Sequence, residues 1–284
     1  MNELYAVDPN AVKNSRELKL LLDQFGFHKG RFLADYPMDW IDEARKHFRD
    51  SSEMERARVV EHLSRAKGTL AYDVFAPYKS TLTWLENAKR TERPVPLFEA
   101  MIAEQELPPR VASVEQVIYE DKLADGVGEF VPRTVESYLK VVKPLLAAST
   151  EVTLVDRYFR LRNNRGFTGQ FSVLAGMLSC AIKLGKCQSF KVMALRAEAL
   201  KDCASEACWK ADLEKARPRH ASRSIEVAYD LSEKLGHGRY IFSVRGGLQF
   251  DQGFDIDAPR SSSTNHVHWL SQKELNDVQK AYAP

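Results

Sequence analysis

A histidine and an arginine two residues apart, in the stretch HGRYIFSVRGGLQFDQGFD (residues 237–255), are the first candidates for chemistry in this chain. Because side chains alternate along a strand, His237 and Arg239 are expected to project from one face of this β-branched and aromatic run. Two cationic groups there favour an anion, and Gly246 with Gly247 predicts a tight turn or a close backbone approach to a ligand. We interpret the segment as strand, turn and strand around a phosphate; the alternative is a hairpin whose His and Arg are solvated.

A second cluster of cations follows the apolar run EVTLVDRYF, which is typical of a buried strand. In open α/β sheets ligands gather beyond the carboxyl ends of strands, guanidinium groups match phosphate oxygens, and neighbouring aromatic rings offer stacking surfaces. Asp156, at the end of the run, is expected to orient the arginines. A phosphate or nucleic-acid contact is therefore predicted, with a solvated loop as the alternative. The arginines of this cluster are Arg157, Arg160, Arg162 and Arg165.

A further basic stretch, RPRHASR, precedes another predicted strand and carries the same two interpretations. Its charged residues are Arg217, Arg219, His220 and Arg223.

Four cysteines and one pair of histidines are the candidate metal ligands. Cys203 and Cys208 are predicted to lie on one helix, where five residues place the thiols about 140° apart around the axis, so that they do not easily share a metal. We interpret the cysteines as reduced structural thiols. His266 and His268 share one face of a predicted strand, which suits a metal if a third ligand is near. The sequence identifies no third ligand, so we interpret the pair as a polar face and expect no metal and no cofactor.

The composition is that of an ordinary soluble protein. The 284 residues are 44% hydrophobic and 28% charged, and this length supports two hydrophobic cores. A net charge of +2 does not by itself imply a polyanionic partner, so that inference depends on local clusters of arginine. The sequence contains no apolar run of the roughly 20 residues that span a membrane, and its first residues lack a signal-peptide pattern. We therefore expect a cytoplasmic protein with no transmembrane segment.

The pattern of elements changes near the middle of the chain. Apolar stripes at helical spacing predict helices in the first third, and a capping pair, Asn14 with Glu17, marks the start of one of them. The stretch YEDKLADGVGEFVPR, with two glycines and mixed charge, is the predicted boundary. Beyond it, strands and helices alternate, and Ser271 with Glu274 is expected to cap a last helix. We predict a helical domain over residues 1–118 and an α/β domain over residues 130–284.

The segment that begins at His237 resembles a motif of the phospholipase D superfamily. That motif has His-x-Lys, then Asp after four intervening residues, and then a Gly-Ser-x-Asn element. Here His237 and Arg239 match its first two positions, with Arg in place of Lys, and Val244 stands where Asp is expected. The Gly, Ser and Asn positions are also replaced, so the catalytic motif is degraded. The replacing residues are Asp251, Gln252 and Phe254.

A closer likeness is to a bacterial branch of that superfamily with a helical N-terminal domain. It is carried by HGRYI, Gly246, Gly247, Gly253 and Asp255, by VPRTVESYLKVVKPLL with VTLVDRYF, and by GRFLADYP with TWLENA, so it spans nearly the whole chain. The C-terminal module of MIT-domain proteins is also similar. The resemblance implies a helical domain followed by a phospholipase D-like mixed-sheet α/β domain. It further implies a homodimer, phosphodiester ligands, and a setting among bacterial defence or mobile-element proteins.

The resemblance leaves three functions open. Binding of phosphodiesters, most simply nucleic acid, by a protein that has lost turnover is the version the sequence favours. The second is a metal-independent nuclease in which two copies of His237 meet across a homodimer, one as nucleophile and one as acid. The third is a non-catalytic scaffold subunit with protein partners in a defence or transposition complex. Catalytic roles are assigned to His237 and Arg239. The predicted phosphate-binding residues are Arg157, Arg160, Arg162, Arg165 and Arg245.

Overall fold

A computed structural model describes residues 2–67, 70–71, 77–91, 98–107, 110–120, 128–218, 224–256 and 263–282. The chain divides into two units, Asn2–Gly126 and Val127–Pro284. Each unit combines helices with a sheet, so the predicted α/β class is confirmed. Within the described ranges, no helix has both the length and the apolar character needed to cross a bilayer.

The N-terminal unit is built on a sheet of five parallel strands, in the order β3-β2-β1-β4-β5. The strands are β1 (Glu3–Val7), β2 (Arg31–Ala34), β3 (Leu70–Ala71), β4 (Ala100–Ala103) and β5 (Val111–Ser113). The helices are α1 (Ser15–Leu22), α2 (Trp40–His47), α3 (Glu53–Ala66), α4 (Trp84–Thr91) and α5 (Val114–Tyr119), with a short 3-10 turn at Phe27–Lys29. Two separate groups of buried apolar side chains form the core, because successive residues of each strand point to opposite faces of the sheet.

The prediction of a purely helical first domain is wrong, because this unit contains a parallel sheet. Its strands are two to five residues long, and all four residues of β2 are buried. Strands of a parallel sheet that is covered on both faces lack the alternation of apolar and polar residues, so such short runs cannot be told from helix segments by periodicity.

The C-terminal unit contains nine strands and five helices among its described residues. The strands are β6 (Gly128–Pro132), β7 (Glu151–Asp156), β8 (Arg162–Asn163), β9 (Gly166–Phe167), β10 (Ser189–Leu195), β11 (Glu226–Ser232), β12 (Arg239–Phe242), β13 (Gly247–Phe250) and β14 (Thr264–Trp269). The helices are α6 (Val135–Ala148), α7 (Gly169–Leu184), α8 (Arg196–Ala199), α9 (Glu206–Lys215) and α10 (Gln272–Tyr282). The predicted alternation of strands and helices and the predicted last helix are confirmed, whereas β6 lies in the stretch that was predicted to be the boundary, and β8 and β9 were not predicted.

Seven of these strands form one mixed sheet, in the order β11-β10-β7-β12-β13-β14-β6. Strands β7, β10 and β11 are parallel, whereas β12 runs antiparallel to β7. The start of β12 therefore lies beside the end of β7, and Arg239 pairs directly with Asp156. This reversal of direction brings the two candidate segments, which are about 80 residues apart in sequence, to one edge of the sheet.

Candidate anion-binding site

The carboxyl end of β7 and the amino end of β12 position the candidate residues. Arg157 and Tyr158 follow β7 directly, and His237 lies in the loop that leads into β12. The prediction that His237 and Arg239 share a strand face is wrong in detail, because β12 begins only at Arg239. The loop, rather than strand alternation, places the imidazole of His237 beside Arg157.

A buried carboxylate, Asp156, organises this edge. Its Oδ1 accepts a hydrogen bond from the backbone N–H of Tyr158 at 2.9 Å, and its Oδ2 accepts from the N–H of Phe254 at 3.4 Å and from Nε2 of Gln170 at 3.4 Å. Nε of Arg239 lies 3.8 Å from Oδ1. Burial raises the pKa of Asp156, and the backbone N–H groups of Tyr158 and Phe254, together with Arg239, oppose that rise. The predicted orienting role of Asp156 agrees with these contacts.

Arg157 lies against His237. Its Nη1 group is 3.3 Å from Nε2 of the imidazole and donates to the carbonyl oxygen of Leu235 at 3.1 Å. Because a guanidinium can only donate, a hydrogen bond between the two side chains requires Nε2 to be the acceptor. Nε of Arg157 is buried and has no hydrogen-bond partner, and no carboxylate in the described ranges forms an ion pair with this side chain.

Arg239 and the ring of Tyr158 complete the arrangement, which we call the cationic cluster: Arg157, Tyr158, His237 and Arg239. The guanidinium of Arg239 donates to the backbone oxygen of Asp251 and lies 5.5 Å from the centre of the Tyr158 ring. The guanidinium of Arg157 is 5.9 Å from the same centre, and the imidazole of His237 is 6.4 Å away. Both guanidinium groups therefore lie within 5.9 Å of the centre of one partly exposed aromatic ring, and in the described parts of the chain the ion pair that either group makes is that of Arg239 with the buried Asp156.

The backbone of Gly253 packs closely against Asp156 and Arg239. Its φ of +76° lies in the left-handed region, and a Cβ built there would be 2.6 Å from Oδ2 of Asp156 and 2.8 Å from Cδ of Arg239. A residue with a side chain would therefore collide with the carboxylate that positions the cluster.

Two of the predicted phosphate-binding arginines point to carboxylates instead. Arg160 pairs with Glu198 and Asp202, and Arg162 makes two hydrogen bonds to Asp212. Because their charges are offset within the fold, neither joins the cationic cluster.

The remaining two predicted arginines lie elsewhere on the unit. Arg165 is exposed in the turn between β8 and β9, and Arg245 is exposed in the turn that follows β12. Arg245 therefore lies at the opposite end of β12 from Arg239. Val244, which is 83% exposed, is at that same far end, so the Asp that the superfamily motif places there would not contact His237 in this fold.

The basic stretch RPRHASR lies largely outside the described residues, which stop at 218 and resume at 224. Arg217, at its start, pairs with Glu214 at 2.8 Å.

The cysteine geometry differs from the prediction. Cys203 precedes α9 rather than lying on it, so the thiols of Cys203 and Cys208 come close to each other and to the carboxylate of Asp212. Burial, together with Cys208 and Asp212, raises the pKa of Cys203 to about 11. Asp212 is already bound by Arg162 and Lys215, which lower its pKa. A protonated thiol and an occupied carboxylate are poor starting points for a metal site.

The sequence matches no known protein-family model and no curated protein. Among solved structures, the chain is similar in backbone arrangement to TrmBL2, an archaeal chromatin protein whose structure shows a novel mode of DNA binding. The two chains are 10% identical, and the match covers 59% of this chain and 55% of the TrmBL2 chain. Their TM-score is 0.29, which describes likeness between backbone segments rather than a shared fold.

Proposed function

We propose that the C-terminal unit binds phosphodiesters, with nucleic acid as the ligand, through the cationic cluster. The observation that carries this proposal is the environment of Arg157: it contacts an exposed imidazole, lacks a carboxylate partner in the described parts of the chain, and lies near the same aromatic ring as a second guanidinium. Guanidinium groups bind phosphate oxygens through paired hydrogen bonds, and they remain charged at every physiological pH. The resemblance to phospholipase D-like proteins supports the same class of ligand.

The ring of Tyr158 favours nucleic acid over free phosphate. It is 37% exposed and its centre lies 5.5 and 5.9 Å from the two guanidinium groups, so a phosphate bound by them places its neighbouring base near an aromatic face. Base stacking on an aromatic side chain contributes about 1–3 kcal/mol and is tolerant of sequence. The proposal is therefore binding of single-stranded nucleic acid with little sequence preference.

Binding without turnover fits the contacts of His237. A histidine that attacks phosphorus needs a free nitrogen lone pair, and Nε2 of His237 faces the donor Nη1 of Arg157. Hydrolysis also needs a second group that protonates the leaving oxygen. The exposure of His237 favours one second candidate: a nuclease in which a symmetric dimer brings two copies of this imidazole together.

Substituting Arg157→Gln is expected to weaken binding of a labelled single-stranded oligonucleotide about tenfold, because one uncompensated guanidinium contact to phosphate is lost. The slope of log K against log salt concentration should also become shallower by roughly 0.7, the contribution of one phosphate contact on a single strand. Fluorescence anisotropy across a salt series measures both quantities.

The matched control for this measurement is Arg245→Gln, which makes the same charge change at the far end of β12 and should leave both quantities almost unchanged. Equal losses in the two variants would mean that general surface charge, rather than the cationic cluster, holds the ligand. Running the same samples in EDTA on a sequencing gel tests the nuclease candidate. Cleavage that disappears in His237→Ala would replace the binding function with a catalytic one.

A further inference from the structure

Two histidines and an aspartate lie close together on the antiparallel strands of the C-terminal sheet. His266 and His268 project from the same face of β14, with ring centres 5.5 Å apart. Asp251 follows β13 directly, and its backbone N–H donates to the carbonyl oxygen of His266 at 3.1 Å. That bond holds the Asp251 carboxylate beside the imidazole, with Oδ2 3.3 Å from Nδ1 of His266. One nitrogen or oxygen from each of the three side chains lies within 4.8 Å of the others.

An unpaired buried nitrogen distinguishes this group from a solvated polar surface. Nδ1 of His268 is shielded from solvent and has no hydrogen-bond partner. A buried polar atom without a partner costs about 1–3 kcal/mol, so a fold that retains one needs another source of compensation. A bound cation would supply that compensation, since the imidazole nitrogen is a common metal ligand.

The neighbouring strand leaves room at this place. Gly128 of β6 pairs with His268, and a Cβ there would be 3.1 Å from Nε2 of His266 and 3.1 Å from Cβ of His268. Phe130, two residues along the same strand, has its ring centre 4.9 Å from that of His266. The glycine thus avoids a tight contact with both histidines, and the phenylalanine packs on one of them.

We propose that Asp251, His266 and His268 bind one divalent transition-metal ion of the zinc class. Two imidazoles and one carboxylate suit Zn²⁺, Co²⁺ or Ni²⁺, whereas Mg²⁺ and Ca²⁺ prefer sites made wholly of oxygen. Ligand atoms about 2.0 Å from a tetrahedral ion are about 3.3 Å from one another. The His266–Asp251 pair already has that separation, and a ligand atom of His268 lies within 4.8 Å of both. Three protein ligands leave a fourth position for water or an anion.

Asp251 is the third ligand of the histidine pair, which the sequence alone led us to interpret as a polar face. The proposed metal site does not depend on the proposed phosphodiester function, although the two sites touch the same residue. The backbone oxygen of Asp251 accepts from Arg239, whereas its carboxylate faces His266. Metal binding is therefore measured without nucleic acid, so that failure of one proposal leaves the other standing.

The test is calorimetric titration of the full chain with ZnCl₂ at neutral pH, in a Cys203→Ser, Cys208→Ser background that removes the competing thiols. We expect one Zn²⁺ per chain and no heat from MgCl₂. His266→Ala and His268→Ala should each weaken zinc binding at least tenfold, since each removes a ligand. The matched control is His62→Ala, which removes a histidine from the N-terminal unit and should leave zinc affinity unchanged.

A second measurement distinguishes loss of zinc binding from loss of folding in the variants. His268→Gln keeps the size of the side chain, and its circular dichroism spectrum should match that of the parent while zinc affinity still falls. Zinc should also raise the melting temperature of the parent and not that of His268→Gln, because an ion that binds only the folded chain stabilises it. No zinc uptake by the thiol-free parent, or equal affinity in the parent and in folded His268→Gln, would overturn the proposal.

Discussion

Substituting Asp156→Ala should lower the free energy of unfolding of the C-terminal unit by about 3 kcal/mol. The Asp156 side chain is 1% exposed, and alanine would leave the backbone N–H groups of Tyr158 and Phe254 buried without their acceptor. The guanidinium of Arg239 would lose its only nearby carboxylate among the described residues. Urea unfolding followed by hydrogen exchange in peptides that contain β7 reports this unit separately from the N-terminal one.

The same residue predicts a pH dependence. Burial raises the pKa of Asp156 above its ordinary 3.8, so the folded state holds the proton more tightly than the unfolded state does. The contribution of Asp156 to stability is therefore complete below pH 3.8 and is lost as the pH rises through the raised value. Asp156→Asn cannot titrate, so the difference in unfolding free energy between parent and variant should change in favour of the variant as the pH rises from about 4 toward 7.

An unchanging difference over that range would show that the folded carboxyl has the same affinity for protons as the unfolded one. A loss of stability in Asp156→Ala below about 1 kcal/mol, comparable to an exposed substitution, would contradict the organising role of this residue.

Gly253→Ala should destabilise the C-terminal unit by about 3 kcal/mol and also abolish oligonucleotide binding. Two effects add at this position: the left-handed φ of +76°, and a Cβ that would meet Oδ2 of Asp156 at 2.6 Å. The carboxylate can move only by breaking the bonds that it accepts from Tyr158 and Phe254, and Arg239 is displaced with it. Urea unfolding and anisotropy on the same preparation measure both consequences.

The control variant Gly166→Ala separates the effect of backbone strain from the effect of a steric clash at Cβ. Gly166 also has a positive φ, +124°, but a Cβ there has nothing within 4 Å. This control should cost about 1–2 kcal/mol from backbone strain and leave oligonucleotide binding intact. If both glycine variants lose the same stability and both still bind, close packing at Gly253 is not what maintains the cationic cluster.

Helix ends were predictable because their signals are local. The Asn14 side chain accepts from the N–H of Glu17, and Ser271 accepts from the N–H of Glu274, as the spacing of each pair predicts. Gly185 ends α7 with a φ of +74°. Such caps need only three or four neighbouring residues, so tertiary structure rarely overrides them.

The strands of the two units differed in how well the sequence showed them. Strands β7 and β10 are six and seven residues long and lie between strong helical patterns, so their type was predictable. Strands β2 and β4 have four residues each, without alternation, so no local pattern separates them from loops and helices. Their pairing in a sheet depends on partners that are distant in the chain.

The sequence alone predicted the two segments that the structure brings together and the anionic type of ligand proposed for them, because a guanidinium group carries its charge wherever it lies. Only the tertiary structure decided which cations are available. Arg160 and Arg162 meet carboxylates 38 and 50 residues away, whereas Arg157 meets an imidazole 80 residues away. Electrostatic compensation depends on distance in space, which spacing along the chain does not specify.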